Sequence, residues 1–300
     1  MAKNYTLLIL FLFLASCGES GVEVSYNLSK PVKTEVFSQG FYSTMDGELE
    51  QVGTATAITY INEYSQGTDT LHLNRTFASD ASRGYLKKSY PPELALRTPR
   101  LELSAKDMEI TSIVGYENFD STVVAKILIP DRWKKQINNM TSPADLERIE
   151  TRHWKLTHLL LGNIPLKANI TELLASQGRL AGIPFVVKID SVVTKGIKDI
   201  NGKKCFEYAV YLREEEPFPY FIWEQHVSSV KSGMPFKSYR SKNAEYENRY
   251  EIALDLKNGV PCQEREMKFG THGMQSPETG DSVTFSSRIS HERFYTFLKQ

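Results

Sequence analysis

The chain has 300 residues, 41% of them hydrophobic and 24% charged, a balance that belongs to globular proteins and excludes extended disorder. Its 36 basic and 36 acidic residues cancel, so it lacks the basic footprint that nucleic acid demands and has no electrostatic reason to dock on anionic headgroups. No apolar run in the chain is long enough to cross a bilayer.

In chain order, Lys3 supplies a positive charge ahead of an apolar run from Thr6 to Leu14. That run is too short to span a hydrocarbon core and has the length of a secretory h-region. Leu14-Ala15-Ser16-Cys17 follows at once and resembles the lipobox of bacterial lipoproteins. The resemblance implies cleavage before Cys17, diacylglycerol on its thiol and acylation of its new amine, which together hold a protein durably on a bilayer. Residues 1–16 are then a signal peptide. Residues 17–29 are a lipidated N-terminus and flexible tether, opening with the small polar stretch Gly18-Glu19-Ser20-Gly21. Gly18, rather than an aspartate, in the second mature position favours the outer over the inner membrane by analogy.

From residue 30 onward short runs rich in Thr, Val, Ile, Tyr and Phe predict antiparallel strands. Asp46-Gly47 signals a hairpin, and Thr54–Ile61 and Thr70–Arg75 alternate as half-buried strands do. Met108–Val114 and Thr122–Ile129 flank Gly115–Ser121 as a further hairpin. The period then changes. Ser142-Pro143-Ala144-Asp145 reads as a helix start, and Leu146, Ile149, Leu156, Leu159 and Leu160 recur at helical spacing until Gly162. Short helices are expected near Thr171–Ser176 and Asp131–Asn138.

After Gly182 the strands return, facing each other across Asn201-Gly202 and again across Asn258-Gly259. Thr284–Arg288 is expected as an edge strand, with the last residues helical. With Cys17 set aside, Cys205 and Cys262 remain, either as a disulfide or as two buried free thiols. Phe218, Tyr220, Phe221 and Trp223 form an aromatic cluster, a candidate binding surface whose alternative is ordinary core packing.

The order of hairpins, helical middle and more hairpins predicts a mainly β (α+β) fold, a curved antiparallel sheet or open half-barrel with a central group of helices packed on it. Residues 30–300 are one β-rich domain, or two β halves (30–130 and 180–290) joined by a helical segment (131–178). With Gly182-Ile183-Pro184 and Gly259-Val260-Pro261 as strand openings, the arrangement resembles the LolA/LolB-like lipoprotein carriers. That resemblance implies a cavity for a lipid and transfers no binding residue.

The chemistry is mostly excluded. Zinc-helix, nucleophile-elbow, phosphate-loop and dinucleotide motifs are all missing, and Ser228-Ser229-Val230-Lys231 lacks the companion motifs of penicillin-recognising hydrolases. The 6 histidines show no metal spacing, and Glu214-Glu215-Glu216 reads as a solvated loop. No catalytic residue, metal or cofactor is expected. The preferred function is non-enzymatic binding of a lipid, apolar ligand or envelope protein partner, with a lipid-tethered extracytoplasmic hydrolase as the alternative. An apolar groove would favour the first; a cleft with a serine or carboxylate bonded to histidine would favour the second.

Overall fold

The computed structural model describes residues 21–46, 49–77, 101–106, 109–115, 143–160, 162–215, 221–223, 238–275 and 282–299. The leader and Cys17 lie outside them, as do 122–129, 131–138, Phe218 and Tyr220. The strands are β1 (Gly21–Val24), β2 (Val32–Asp46), β3 (Leu49–Gln66), β4 (Leu71–Phe77), β5 (Leu101–Lys106), β6 (Glu109–Val114), β7 (Gly162–Pro165), β8 (Val186–Ile200), β9 (Lys203–Glu215), β10 (Phe221–Trp223), β11 (Ser238–Asp255), β12 (Pro261–Gln275) and β13 (Ser282–Phe297). Two helices, α1 (Pro143–Thr157) and α2 (Thr171–Ser176), sit between β6 and β8 in the chain.

The protein is mainly β. An open, antiparallel, 11-stranded sheet runs β6-β5-β4-β3-β2-β13-β12-β11-β9-β8, with β10 added to β11, and β1 and β7 form a separate two-stranded ribbon. Each half is built from sequential hairpins. They meet where β13 pairs with β2, from Thr34 opposite Phe297 to Met45 opposite Ser286, so one continuous ladder joins the two ends of the chain. Among the described residues no helix is long and apolar enough to cross a membrane.

Turn chemistry explains two joints. Asn201 (φ 52°) and Gly202 (φ 77°) both take positive φ, the requirement of a tight two-residue hairpin, and bring Lys203 opposite Ile200. The β11–β12 turn is longer, with Asp255 N–H donating to the Val260 carbonyl and Gly259 N–H to the Asp255 carbonyl. Gly259 has φ +73°, and a Cβ there would stand 2.8 Å from the Ser25 carbonyl oxygen. The turn is thereby pressed onto the segment that follows β1.

Several expectations are corrected. In place of a central helix group, the described residues hold one helix of 15 residues and one of 6. α1 ends at Thr157 rather than at Gly162, because Leu159 and Leu160 leave the helical path to fill the core, and Gly162 (φ +106°) opens β7. β6 pairs with β5, while Thr122–Ile129, its expected hairpin partner, lies outside the described residues. The C-terminal residues are strand, not helix: β13 has 16 residues and lies in mid-sheet between β12 and β2. Its polar His291 and Arg293 share a face with Tyr295, which breaks the alternation that marks a strand. β1 forms inside the stretch expected to be tether, and its Val24 is fully buried.

The two faces of the sheet differ. On the helix face, Leu156, Leu159, Leu160 and Leu174 pack on Phe206, Tyr208, Val210, Leu212 and Ile252. Each such side chain contributes roughly 1.5–3 kcal/mol by leaving water. A second cluster joins Trp154 to Tyr64, Leu71, Leu73 and Val260. The opposite face has no helix packed against it among the described residues and is called the outer face below.

Candidate functional site

The helix face carries an unusual density of buried charge under α1. Arg152 donates through Nε to Glu214 Oε2 (2.8 Å) and through Nη2 to Glu266 Oε1 (2.8 Å). Glu266 also accepts from Asn248 Nδ2 (2.8 Å), and Lys268 pairs with both Glu214 and Glu266. One step along the sheet, Glu264 Oε2 meets His153 Nε2 (2.8 Å) and Arg293 Nη1 (3.1 Å), while its Oε1 accepts from Thr157 (2.9 Å). Arg75 donates to Asn62 (3.1 Å) and to Glu150 (2.8 Å) of α1.

These groups meet because β9, β11, β12 and β13 place alternate residues on one face. Glu214, Asn248, Glu266 and His291 project toward α1 from neighbouring ladders, and the helix returns Arg152 and His153. Glu214, read from the sequence as part of a solvated acidic run, is 1% exposed. Removing one partner from such a buried pair costs about 3–5 kcal/mol, so the network fixes where α1 sits.

The protonation states follow from the surroundings. Burial alone would raise the Glu264 carboxyl, but His153, Arg293 and the Thr157 hydroxyl hold it well below the usual carboxylate range. Glu266 is likewise held down against burial by Lys268, Arg152 and Arg293. Both are firm anions and poor proton donors. His158 is pushed down to about 3 by burial, and its Nδ1 bonds the Trp154 carbonyl (2.9 Å). His291 is also lowered to about 3, first by burial and then by Arg293, with Ser38 Oγ 2.8 Å from its Nε2.

Two contacts on this face have the form a hydrolase uses, His153–Glu264 and Ser38–His291. Both are enclosed. The void beside His153, lined also by Tyr64, Arg75, Trp154, His158 and Glu264, has a volume of about 10 Å³, the space of a single water. Ser38 is buried, and a histidine that ionises near 3 is a weak base at neutral pH. Among the described residues no group of His, Cys, Asp and Glu could hold a metal ion.

The outer face combines ion pairs, among them Arg249–Glu251 and Arg265–Glu292, with exposed aromatic side chains. Phe41 on β2 and Phe269 on β12 are 44% and 47% exposed, and Phe294 on β13 is 37% exposed. Ser290 lies between Phe41 and Met267 in the ladder, so those two apolar side chains flank a small residue, with Phe269 next along β12 on the same face. Phe37 and Phe294 form a direct cross-strand pair. A polar band of Gln39, Glu292 and Arg265, joined by hydrogen bonds of 2.9 and 2.6 Å, separates the two groups.

Of the residues singled out in the sequence, Phe221 and Trp223 fall in β10, paired with Arg240 and Ser238 of β11. Cys205 and Cys262 are buried, with their sulfurs 2.6 Å apart. The charged network and the outer phenylalanines were missed. Arg152, His153 and Thr157 of α1 find their carboxylate partners 62 to 114 positions away in the chain, and no local spacing announces such pairs. Phe41, Phe269 and Phe294 carried a signal in their alternation, but not which face they share.

No family model matches the chain, and no curated protein matches it. Among solved structures it is similar to a lipovitellin chain, from a structure of lipid–protein interactions in lipovitellin, with a TM-score of 0.41 and 8% identity over 91% of this chain. It is similar also to Salmonella typhi OmpF in complex with daunomycin, with a TM-score of 0.20 and 7% identity over 89% of this chain. The chain spans 25% of the length of the lipovitellin chain and 98% of that of OmpF.

Proposed function

We propose that this is a non-enzymatic envelope lipoprotein, held on a membrane by lipid on Cys17, that binds an apolar ligand of the lipid class on the outer face of its sheet. The observation that carries the reading is that Phe41 and Phe269 remain about half exposed on the outer face, which no described helix covers, while the helix face is closed by apolar clusters and buried ion pairs. Phenylalanine is ordinarily an interior residue. Withdrawing each from water onto an acyl chain would gain roughly 1.5–3 kcal/mol.

The anchor supports the same reading. Three residues separate Cys17 from Gly21, where β1 begins, and four peptide steps reach at most about 14 Å. A lipidated Cys17 would keep the β1–β7 ribbon close to the bilayer, within easy exchange of acyl chains. Gly18 favours the outer membrane as that bilayer. The hydrolase alternative has less support, because His153 and Glu264 border a void of only about 10 Å³ and Ser38 is buried against a histidine lowered to about 3.

The test is a titration of the soluble chain beginning at Gly18 with a fluorescent long-chain fatty acid. Saturable binding is expected, weakened at least tenfold in a Phe41→Asp/Phe269→Asp variant, since tenfold is about 1.4 kcal/mol, less than the burial of one phenylalanine. Binding unchanged in that variant would refute the outer-face site. No binding in the parent chain would refute a lipid ligand and point to a protein partner on the same residues.

A further inference from the structure

We infer that Cys205 and Cys262 form a disulfide that staples β9 to β12 across the intervening strand β11. The two sulfurs are unbonded in the structure and lie 2.6 Å apart, close to the S–S bond length of about 2.05 Å. Their approach has a structural cause. Residues two strands apart are ordinarily separated by roughly 9–10 Å, twice the strand spacing. Here the β11–β12 ladder shifts register between Ala253 and Leu254, which pair with Gln263 and Pro261 and leave Cys262 as the extra residue. A bulge re-aims the side chain it carries. Cys262 is brought over the small Ala253 to meet Cys205, and the three residues pack as one buried cluster.

Both thiols are buried, at 0% and 3% exposure, and the Cys262 thiol is pushed up by its contact with Cys205 and by burial. A neutral, inaccessible thiol is a poor nucleophile in the finished fold. The bond is therefore made while the β11–β12 hairpin is closing. One cysteine attacks the disulfide of an oxidant to form a mixed disulfide. The second displaces the oxidant's other sulfur, so the protein pair loses two electrons and two protons and the oxidant disulfide becomes two thiols. The oxidant class is a small-molecule or protein disulfide of an oxidising compartment. To that extent the inference rests on the exported location proposed above. Once closed, the staple is shielded from reductants by the same burial.

The experiment is folding of the full 300-residue chain with glutathione disulfide, then unfolding in denaturant, alkylation and peptide mass mapping, with and without prior reduction. The expected result is a linked peptide pair containing Cys205 and Cys262, both alkylated only after reduction in denaturant, whereas Cys17 is found free or bonded to glutathione and in no linked peptide. Melting is expected to fall by several degrees when the chain is folded under reducing conditions, a difference that disappears in a Cys205→Ala/Cys262→Ala variant. Alkylation of both residues without reduction would overturn the inference, as would a melting temperature indifferent to redox conditions in the parent chain. Because the oxidant is supplied in the tube, either failure leaves the proposed location untouched. Location is read separately by fractionating cells that express the full chain.

Discussion

His158 and His291 show most directly how single side chains govern this protein. Each is lowered to about 3 by burial, so each is neutral in the folded chain at physiological pH. In the unfolded chain the same rings titrate near 6.5 and take up protons first. The unfolded state binds more protons between those values, so their contribution to stability is whole above about pH 6.5 and declines steadily as pH falls toward 3. Glu264 and Glu266 act in the same sense at lower pH: held below the usual range, they add stability above about pH 4.5 that is lost as they protonate. Urea midpoints measured from pH 8 to about pH 5 should fall on acidification before any carboxylate titrates. A His158→Gln/His291→Gln variant should show a much shallower fall. An equal slope in parent and variant would mean that the two rings are not buried neutral.

At the scale of elements, much was legible and the misses have physical causes. β8 and β9 could be read because Val, Ile and aromatic residues run up to Asn201-Gly202, whose positive φ angles the tight turn requires. β13 could not, because its helix-facing positions include His291 and Arg293, which serve the charged network rather than an apolar core. The end of α1 was misplaced because Leu159 and Leu160 continue its apolar pattern after the helix has stopped. The Asn258-Gly259 turn was legible as a turn, but its contact with Ser25 was not, since that approach depends on the tertiary fold. Two glycines separate these effects. Gly202→Ala incurs only the left-handed backbone, about 1–2 kcal/mol, because nothing lies within 4 Å of its Cβ position. Gly259→Ala incurs the same strain plus the clash with the Ser25 carbonyl at 2.8 Å. Chemical unfolding should therefore show a larger loss for Gly259→Ala; equal losses would mean that the turn does not press on the N-terminal segment.

On the scale of the whole molecule, the sheet separates two jobs. The helix face is closed by α1 and α2, sealed by apolar clusters and locked by the Arg152, Glu264 and Glu266 network. Among the described residues the space under α1 is a packed interface with a void of about 10 Å³ beside His153. The ligand site proposed above lies on the outer face, where Phe41, Phe269 and Phe294 stand exposed. None of this division is written in local sequence, because the same alternation of apolar and polar residues serves either face until the helix settles on one of them. The most direct test is native mass spectrometry of the protein purified from a bacterial envelope, compared before and after organic extraction. A discrete lipid mass on the intact chain, removed by extraction and absent from a Phe41→Asp/Phe269→Asp variant, is the predicted result. A chain that carries no extractable mass and gains none when offered envelope lipids would contradict it.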